Sequence, residues 1–234
     1  MADVDDLKRA AAERAVADEV RSGMVVGLGT GSTAIHATRP IGALLRGVEL
    51  RDVVGVPTAV ETADEARRCG IPLHADDVPW EVDVTIDGAD EVDPNLDLIK
   101  GGGGALLREK LVAQASAREV IVVDGSKCTE RLGTRFPLPV EVVDFGLATT
   151  RLAIERLGAQ IVLRGTGDAS SPFRTDQGNL IFDCEFGPIE DAEALAAELA
   201  SHAGVVEHGL FLGITSALIV ASDAGIEVME RPDR

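Results

Sequence analysis

Two carboxylates, one lysine and a run of glycines fall within a short stretch of the chain and could together move a proton. Asp87 and Asp90 bound an acidic turn, and Lys100 stands directly before Gly101–Gly104. Consecutive glycines let the backbone come close to a ligand and present its N–H groups. A further carboxylate, Glu109, lies on the apolar run that follows. A proton-transfer site with an anion-stabilising pocket needs these groups.

A second glycine-rich turn, Gly29–Thr33, follows the apolar run Met24–Leu28 and precedes a predicted helix. Strand, turn and helix in this order place free N–H groups and hydroxyls at a helix N-terminus, where phosphate binds. The turn lacks the third glycine of a dinucleotide fingerprint, since residue 32 is serine, and it lacks the GK[ST] of a P-loop. We predict a monophosphate site; the alternative is a turn whose glycines only let the helix pack. Pro40 is expected to end or kink that helix.

Each of these residues also has a structural interpretation on the sequence alone. Glu109 could be a carboxylate near a helix N-terminus, and Lys100 and Lys127 could be surface lysines. Two of only four lysines, however, stand beside glycine or serine turns after buried strands, which favours a functional role.

A metal site is not favoured by the acidic stretch. Asp93, Asn95 and Asp97 match three positions of a calcium-binding EF-hand loop, but leucine and glycine occupy the positions that require glycine and glutamate. Magnesium at Asp87 and Asp90 is an alternative without a supporting ligand cluster.

The apolar patterns predict the elements that position these residues. Up to residue 133, strands alternate with helices, which implies an α/β fold with a doubly wound, mostly parallel sheet. Residues 134–213 have the order β-α-β-β-α-β, ending in a strand at Val205–Leu212, the split βαβ (ferredoxin-like) pattern of a smaller α+β domain. We predict a Rossmann-like catalytic domain of residues 1–133 and 214–234 and a small domain of residues 134–213.

Charge and composition exclude several classes of protein. Forty acidic residues and 22 basic ones give a net charge of −18, which disfavours nucleic acid and anionic membranes as partners. No secretory signal is evident, and the three cysteines show no metal or disulfide pattern. We expect a cytoplasmic protein. High acidic content with few lysines supports the hypothesis of a halophilic source, which predicts a melting temperature that rises with KCl.

Four segments, in this order and spacing, resemble the A-type ribose-5-phosphate isomerases. They are GLGTGSTA at residues 27–34, TIDGADEVDPNLDLIKGGGGALLREK at 85–110, VVDGSK at 122–127 and FPLPVEV at 136–142. The resemblance covers nearly the whole chain, and the segment at 85–110 is the most specific. It implies an aldose-ketose isomerase of the non-oxidative pentose phosphate pathway. The enzyme would interconvert D-ribose 5-phosphate and D-ribulose 5-phosphate through a cis-enediolate, without a metal or organic cofactor.

The resemblance also implies roles for individual residues. Glu109 would be the general base, Asp87 would assist ring opening, and Lys100 with glycine amides would hold the developing oxyanion. The implied catalytic residues are Glu109, Asp87, Asp90 and Lys100. The implied substrate-binding residues are Thr30, Gly31, Ser32, Thr33, Asp87, Gly88, Ala89, Asp90, Lys100, Gly101, Gly102, Gly103 and Lys127. Lys8 is a weaker phosphate candidate.

The partner implied is a small sugar phosphate, and the assembly implied is a homodimer or homotetramer. Two other functions stay open on the sequence: a related sugar-phosphate isomerase or deaminase, and a non-catalytic sugar-phosphate sensor. A sensor of this kind usually carries a basic DNA-binding helix, whereas the first predicted helix here is acidic.

Overall fold

The computed structural model describes residues 3–166 and 171–231, and its contacts divide the chain into two units. One unit holds the chain up to Ala89, then Arg108–Lys127, then the chain from Ile214 onward. The other holds Asp90–Leu107 and Cys128–Gly213. In chain order the elements are α1 (Val4–Glu19), β1 (Val25–Leu28), α2 (Ile35–Arg46), β2 (Val54–Pro57), α3 (Val60–Arg68), β3 (Val84–Asp87), β4 (Glu91–Val92), β5 (Leu98–Ile99), α4 (Leu106–Gln114), β6 (Glu119–Asp124), β7 (Leu138–Val142), α5 (Leu147–Glu155), β8 (Gln160–Leu163), β9 (Leu180–Glu185), α6 (Ala192–Ser201), β10 (Val205–His208), β11 (Leu210–Phe211), β12 (Ala217–Ser222) and β13 (Gly225–Glu230).

The first unit is built on a six-stranded sheet in the order β13-β12-β6-β3-β1-β2. Its strands pair in parallel except for β13, which pairs antiparallel to β12 at one edge. The wholly apolar runs of the sequence become these strands because both faces of a parallel sheet are covered. The predicted mostly parallel α/β architecture is confirmed.

Helix α1 shows how local sequence and core packing act together. The Asp3 side chain accepts a hydrogen bond from the Asp5 N–H (3.1 Å) and caps the helix start. Ala11, Ala15 and Val16 form the buried face and pack with the sheet in the main core cluster. None of the described helices combines the length and apolar character that a membrane crossing needs.

Pro40 was predicted to end or kink helix α2. The helix continues through Pro40 to Arg46, so an end at this residue is wrong, and the kink stays a prediction. Proline removes one backbone donor, but its fixed φ is compatible with a helix. Ala37 and Ile41 are both buried in the core on either side of Pro40. Tertiary packing therefore outweighs the local breaking tendency.

The second unit contains a four-stranded antiparallel sheet in the order β10-β7-β9-β8, with α5 and α6 in the connections. This is the predicted split βαβ pattern, which is confirmed. The predicted strand Val205–Leu212 is two strands: β10 pairs with β7, whereas β11 pairs with β5 in a separate three-stranded sheet.

Residues 90–107 lie in the second unit, whereas the predicted first domain included them. The reason is backbone pairing, because β4 and β5 form a hairpin and β5 also pairs with β11. The acidic residues of this segment shape the hairpin loop: Asp93 Oδ1 accepts from the N–H groups of Asn95 and Asp97, both at 2.9 Å. Short two-residue strands of this kind have no recognisable periodicity in the sequence.

Glu141 is a fully buried carboxylate on β7, in the interior of the four-stranded sheet. Its Oε1 accepts from Thr175 Oγ1 (2.8 Å) and Asn179 Nδ2 (2.9 Å). Its Oε2 has no hydrogen-bond partner among the described residues. Burial raises the pKa of Glu141 above its usual value; the two hydrogen bonds oppose this shift, and the Glu207 and Asp176 carboxylates add to it.

We expect Glu141→Gln to raise the melting temperature at about pH 8 and the gain to shrink towards about pH 5. Because the folded state binds the Glu141 proton more tightly than the unfolded chain, wild-type stability falls as pH rises through the raised folded pKa. The glutamine variant does not lose stability in this way. Each kcal/mol of unfolding free energy that it regains raises the melting temperature by about 2–4 °C. Thermal melts across this range, with exposed Glu185→Gln as control, test the expectation. An unchanged or lower melting temperature at the alkaline end would contradict it.

Candidate functional site

The turn Gly29–Thr33, between β1 and α2, is built against Asp87 at the end of β3. The Gly29 N–H donates to the carbonyl of Ile86 (3.1 Å), and the Thr30 N–H donates to Asp87 Oδ1 (3.2 Å). A Cβ on Gly29 would lie 2.3 Å from Asp87 Oδ1 and 2.6 Å from Asp87 Cα, so only glycine fits. The predicted phosphate turn and the predicted catalytic aspartate are therefore in direct contact.

Asp87 is held in one orientation although it is almost completely buried, with 1 % exposure. Its Oδ1 accepts from the Gly88 N–H (2.7 Å) as well as from Thr30. Alternate residues of a strand face opposite sides of the sheet. Ile86 joins the core cluster that includes α1, so Asp87 points to the other face.

Glu109 lies on α4, and the packing of α4 places it near the same edge of the sheet. Because β3 and β6 are parallel neighbours, the helix that connects them runs antiparallel to both. Val112 packs on the sheet, with its Cγ1 2.9 Å from where a Cβ on Gly27 would stand. Glu109, three residues earlier on the same helix face, lies one turn nearer the carboxyl ends of β1 and β3. It is 6 % exposed.

Two lysines of the first unit lie at this edge. Lys8 Nζ donates to Ser32 Oγ at 3.0 Å, which puts the weaker sequence candidate directly on the phosphate turn. Lys127 is half-buried in the 3₁₀ turn Gly125–Lys127 that follows β6, the strand next to β3. Carboxyl ends of parallel neighbours meet at one edge of a sheet. The edge therefore carries cations, helix N–H groups and two carboxylates.

A pocket of about 350 Å³ adjoins the phosphate turn within the first unit. Its lining residues are Gly29, Thr30, Gly31, Ser32, Ile35, Thr38, Glu61, Thr62, Glu65 and Arg68. One side of the turn thus contacts Asp87, and the other side faces a pocket that residues of α2 and α3 also line.

In the second unit, Asp90 is tied to the glycine run. Asp90 Oδ2 accepts from the Gly102 N–H (2.7 Å), and the Asp90 N–H donates to the carbonyl of Ile99 (2.8 Å). Of the three glycine amides predicted to bind substrate, that of Gly102 is thus already used by the protein.

Lys100 is buried beside the same run, with 2 % exposure. Its N–H donates to the carbonyl of Gly209 (2.9 Å), and its Nζ lies 5.6 Å from the ring centre of Phe211. A cation this close to an aromatic ring is attracted to it, and the contact orients the ammonium group.

Arg164, which the sequence did not single out, holds the carbonyls of the glycine run. Its Nη1 donates to the carbonyls of Gly101 (2.9 Å) and Gly102 (3.1 Å), and its Nε donates to Asp183 Oδ2 (3.0 Å). In a trans peptide the C=O and the following N–H point in opposite directions. Arg164 therefore turns the Gly103 N–H away from itself. More than sixty residues separate the partners, and no local pattern marks the pair.

The structure groups the predicted residues within each unit. Together in the first unit are Thr30, Gly31, Ser32, Thr33, Asp87, Gly88, Ala89, Glu109 and Lys127. Together in the second are Asp90, Lys100, Gly101, Gly102 and Gly103. Across residues 3–166 and 171–231, no group of three or more His, Cys, Asp or Glu side chains is arranged to hold a metal ion.

Comparisons with known proteins agree on one family. Residues 54–225 match the model of ribose 5-phosphate isomerase A (phosphoriboisomerase A). The ribose-5-phosphate isomerase A of Chloroflexus aurantiacus is 55% identical over 97% of this chain and 95% of its own. That of Desulfatibacillum aliphaticivorans is 51% identical over 98% and 99%.

Solved structures give the same result. A D-ribose-5-phosphate isomerase in complex with phospho-erythronic acid superposes with a TM-score of 0.95 at 36% identity, covering 98% of this chain and 100% of that one. The ribose 5-phosphate isomerase of Plasmodium falciparum gives 0.92 at 38% identity, with the same coverage. The chain therefore belongs to the ribose 5-phosphate isomerase A family.

Proposed function

We propose that this protein is an aldose-ketose isomerase that interconverts D-ribose 5-phosphate and D-ribulose 5-phosphate. The observation that carries the proposal is the arrangement in the first unit, where the phosphate turn, Asp87 and Glu109 lie at one edge of the parallel sheet. Family membership supports it, since the relatives carry the name ribose-5-phosphate isomerase A and one was solved with a sugar-acid phosphate.

Glu109 acts as the general base in this proposal. It removes the proton from C2 of the open-chain aldose and returns it to C1. The proton of the C2 hydroxyl passes to the C1 oxygen, so that the carbonyl moves from C1 to C2. The proton on C2, next to the carbonyl, is weakly acidic, and a carboxylate removes it only when donors stabilise the enediolate. Lys100 and the outward amide of Gly103 supply these donors, and the loss of one such donor typically costs about 3–4 kcal/mol.

Asp87 and Asp90 position the sugar. Each carboxylate has one oxygen bound to backbone amides, Asp87 to Thr30 and Gly88 and Asp90 to Gly102. A carboxylate fixed in this way presents its acceptors to sugar hydroxyls without losing further side-chain freedom on binding. Asp87, which contacts the phosphate turn, assists opening of the sugar ring.

The phosphate group binds at the turn before α2. The free N–H groups of the turn and the helix N-terminus favour an anion, and Lys8 and Lys127 add positive charge. Local charge is required here because the whole protein carries −18. No other function is favoured: the relatives are named neither deaminases nor sensors.

Three further proposals rest on composition and on the family resemblance. The protein acts in the cytoplasm, it assembles as a homodimer or homotetramer, and its acidic surface is adapted to high salt. The salt proposal is supported by the excess of 40 acidic over 22 basic residues.

Purified protein is expected to turn over D-ribose 5-phosphate after exhaustive EDTA treatment, because Lys100 and backbone amides stabilise the enediolate without a metal. A coupled assay run at low and at molar KCl measures this and gives the salt profile. Allose phosphate and glucosamine phosphate are assayed separately as substrates, to test the related isomerase and the deaminase functions. A folded protein that binds the sugar phosphate without turnover would support the sensor function instead.

Glu109→Gln is expected to lower kcat by about 10²–10⁴-fold while KM changes little, because glutamine fills the same space but accepts no proton. Steady-state kinetics and the affinity for inorganic phosphate separate the two effects. Exposed Glu130→Gln is the control and should leave both unchanged. An unchanged kcat in Glu109→Gln would remove Glu109 as the base.

Arg164→Gln is expected to lower kcat by up to about 10²-fold, because the Gly103 amide is no longer held in its direction. Arg164→Lys restores the charge but not the forked donor, so it should recover only part of the loss. The control is Arg174→Gln, which removes an exposed pair with Asp144 in the same unit. Equal losses in both glutamine variants, or no loss in the first, would contradict a positioning role. Melting temperatures show whether either variant is simply unstable.

A further inference from the structure

We propose that Thr58 and Thr62 hold the phosphate turn in place through the hydroxyl of Thr30, and that Thr30 is a positioning residue which does not itself bind the phosphate. The inference rests on the proposed function, since it concerns the phosphate turn of that site. It reassigns one predicted substrate-binding residue and adds two residues that no motif marked.

The three threonines form a compact hydroxyl cluster. Thr30 Oγ1 lies 2.7 Å from Thr58 Oγ1 and 2.9 Å from Thr62 Oγ1. Thr58 Oγ1 also reaches the carbonyl of Leu28 at 3.0 Å, and Thr62 Oγ1 reaches that of Gly29 at 3.3 Å. Thr58 is 0% exposed and Thr62 is 7% exposed. The cluster thus joins the end of β1 to the start of α3.

Counting hydrogens determines what Thr30 can donate. A hydroxyl has one hydrogen and two lone pairs. The carbonyl of Leu28 can only accept, so the one hydrogen of Thr58 is used there. Thr30 must therefore donate its own hydrogen to Thr58, and it can only accept from Thr62. The only hydroxyl hydrogen of Thr30 therefore points into the protein.

The backbone donor of Thr30 is also used within the protein, since its N–H donates to Asp87 Oδ1 at 3.2 Å. Phosphate oxygens are acceptors, so a residue binds them by donating a hydrogen. Thr30 therefore has no donor left for the phosphate. Gly31, Ser32 and Thr33, together with Lys8, are the groups that bind it.

This network connects two functions. Thr58 and Thr62 fix Thr30, and Thr30 fixes both the first peptide of the phosphate turn and the orientation of Asp87. Loss of a buried hydroxyl should therefore weaken phosphate binding even though the threonine removed does not touch the ligand. The effect should depend on Thr30 being present.

The test is a set of threonine-to-valine variants, which keep the shape of the side chain and remove its hydroxyl. Inorganic phosphate binding is measured by calorimetry, and kcat and KM are measured with D-ribose 5-phosphate. We expect Thr62→Val to weaken phosphate binding by about 5- to 30-fold, the range for loss of one or two hydrogen bonds, and to raise KM more than it lowers kcat. Thr62→Ser, which keeps the hydroxyl, should restore binding.

A double variant shows whether Thr62 acts through Thr30. If the proposal holds, Thr30→Val with Thr62→Val is no weaker than Thr30→Val alone, because both changes break the same network. Additive losses, or normal binding in Thr62→Val with weak binding in Thr30→Val, would overturn it. Thr58→Val breaks the network from its other side and takes the place of Thr62→Val if that variant fails to fold.

Thr38→Val is the matched control. Thr38 is a buried threonine that lines the same pocket, and within residues 3–166 and 171–231 its side chain makes no hydrogen bond to the turn. The Thr38→Val variant should bind phosphate as tightly as the wild type does. A loss of phosphate affinity equal to that of Thr62→Val would overturn the proposal. Calorimetry needs no turnover, so a protein that binds phosphate without isomerase activity would refute the proposed function and still test the network.

Discussion

The close approach of β1 and β3 at their carboxyl ends is the constraint on which the first unit depends. The backbone of Gly29 lies so near Asp87 that no side chain fits between them. This approach lets one carboxylate oxygen bind the first peptide of the phosphate turn at 3.2 Å. The turn proposed to bind phosphate and the aspartate proposed to contact the sugar are thereby fixed to each other. The parallel pairing of β1 with β3 sets their separation.

In the second unit, one buried and one half-buried charged side chain solve a similar problem. Irregular backbone near Asp90 needs partners for its polar groups, because a buried group left unpaired is costly. Glu91 is 0% exposed and accepts from the N–H groups of Gly133 (2.6 Å), Arg135 and Phe136 (2.8 Å). Arg164, in contrast, donates hydrogen bonds to the carbonyls of Gly101 and Gly102 in the glycine run. One carboxylate and one guanidinium thus replace the hydrogen bonds that a strand or helix would have provided.

The sequence predicted those features that local pattern determines. Strand-turn-helix order located the phosphate turn, and the position of Glu109 after the glycines located a buried carboxylate on α4. Contacts between distant parts of the chain could not be predicted: Lys8 with Ser32, and Arg164 with the glycine run, have no local signal. The continuation of α2 through proline likewise depends on core packing that only the folded chain provides. Residues proposed to act directly were therefore easier to identify than the residues proposed to position them.

Lysine and arginine are used at different places in this chain, which fits the binding of an anionic substrate by an anionic protein. The chain has four lysines, and each lies in or next to the candidate site segments. Arginine serves structural pairing instead, as when Arg118 bonds to Glu19 and Glu230. A guanidinium matches carboxylates through its planar fork, whereas an ammonium is a compact charge suited to phosphate and enediolate oxygens. Exposed carboxylates farther away are screened beyond about 8 Å at physiological salt. In the proposed site, a few local cations then set the electrostatic potential at the phosphate.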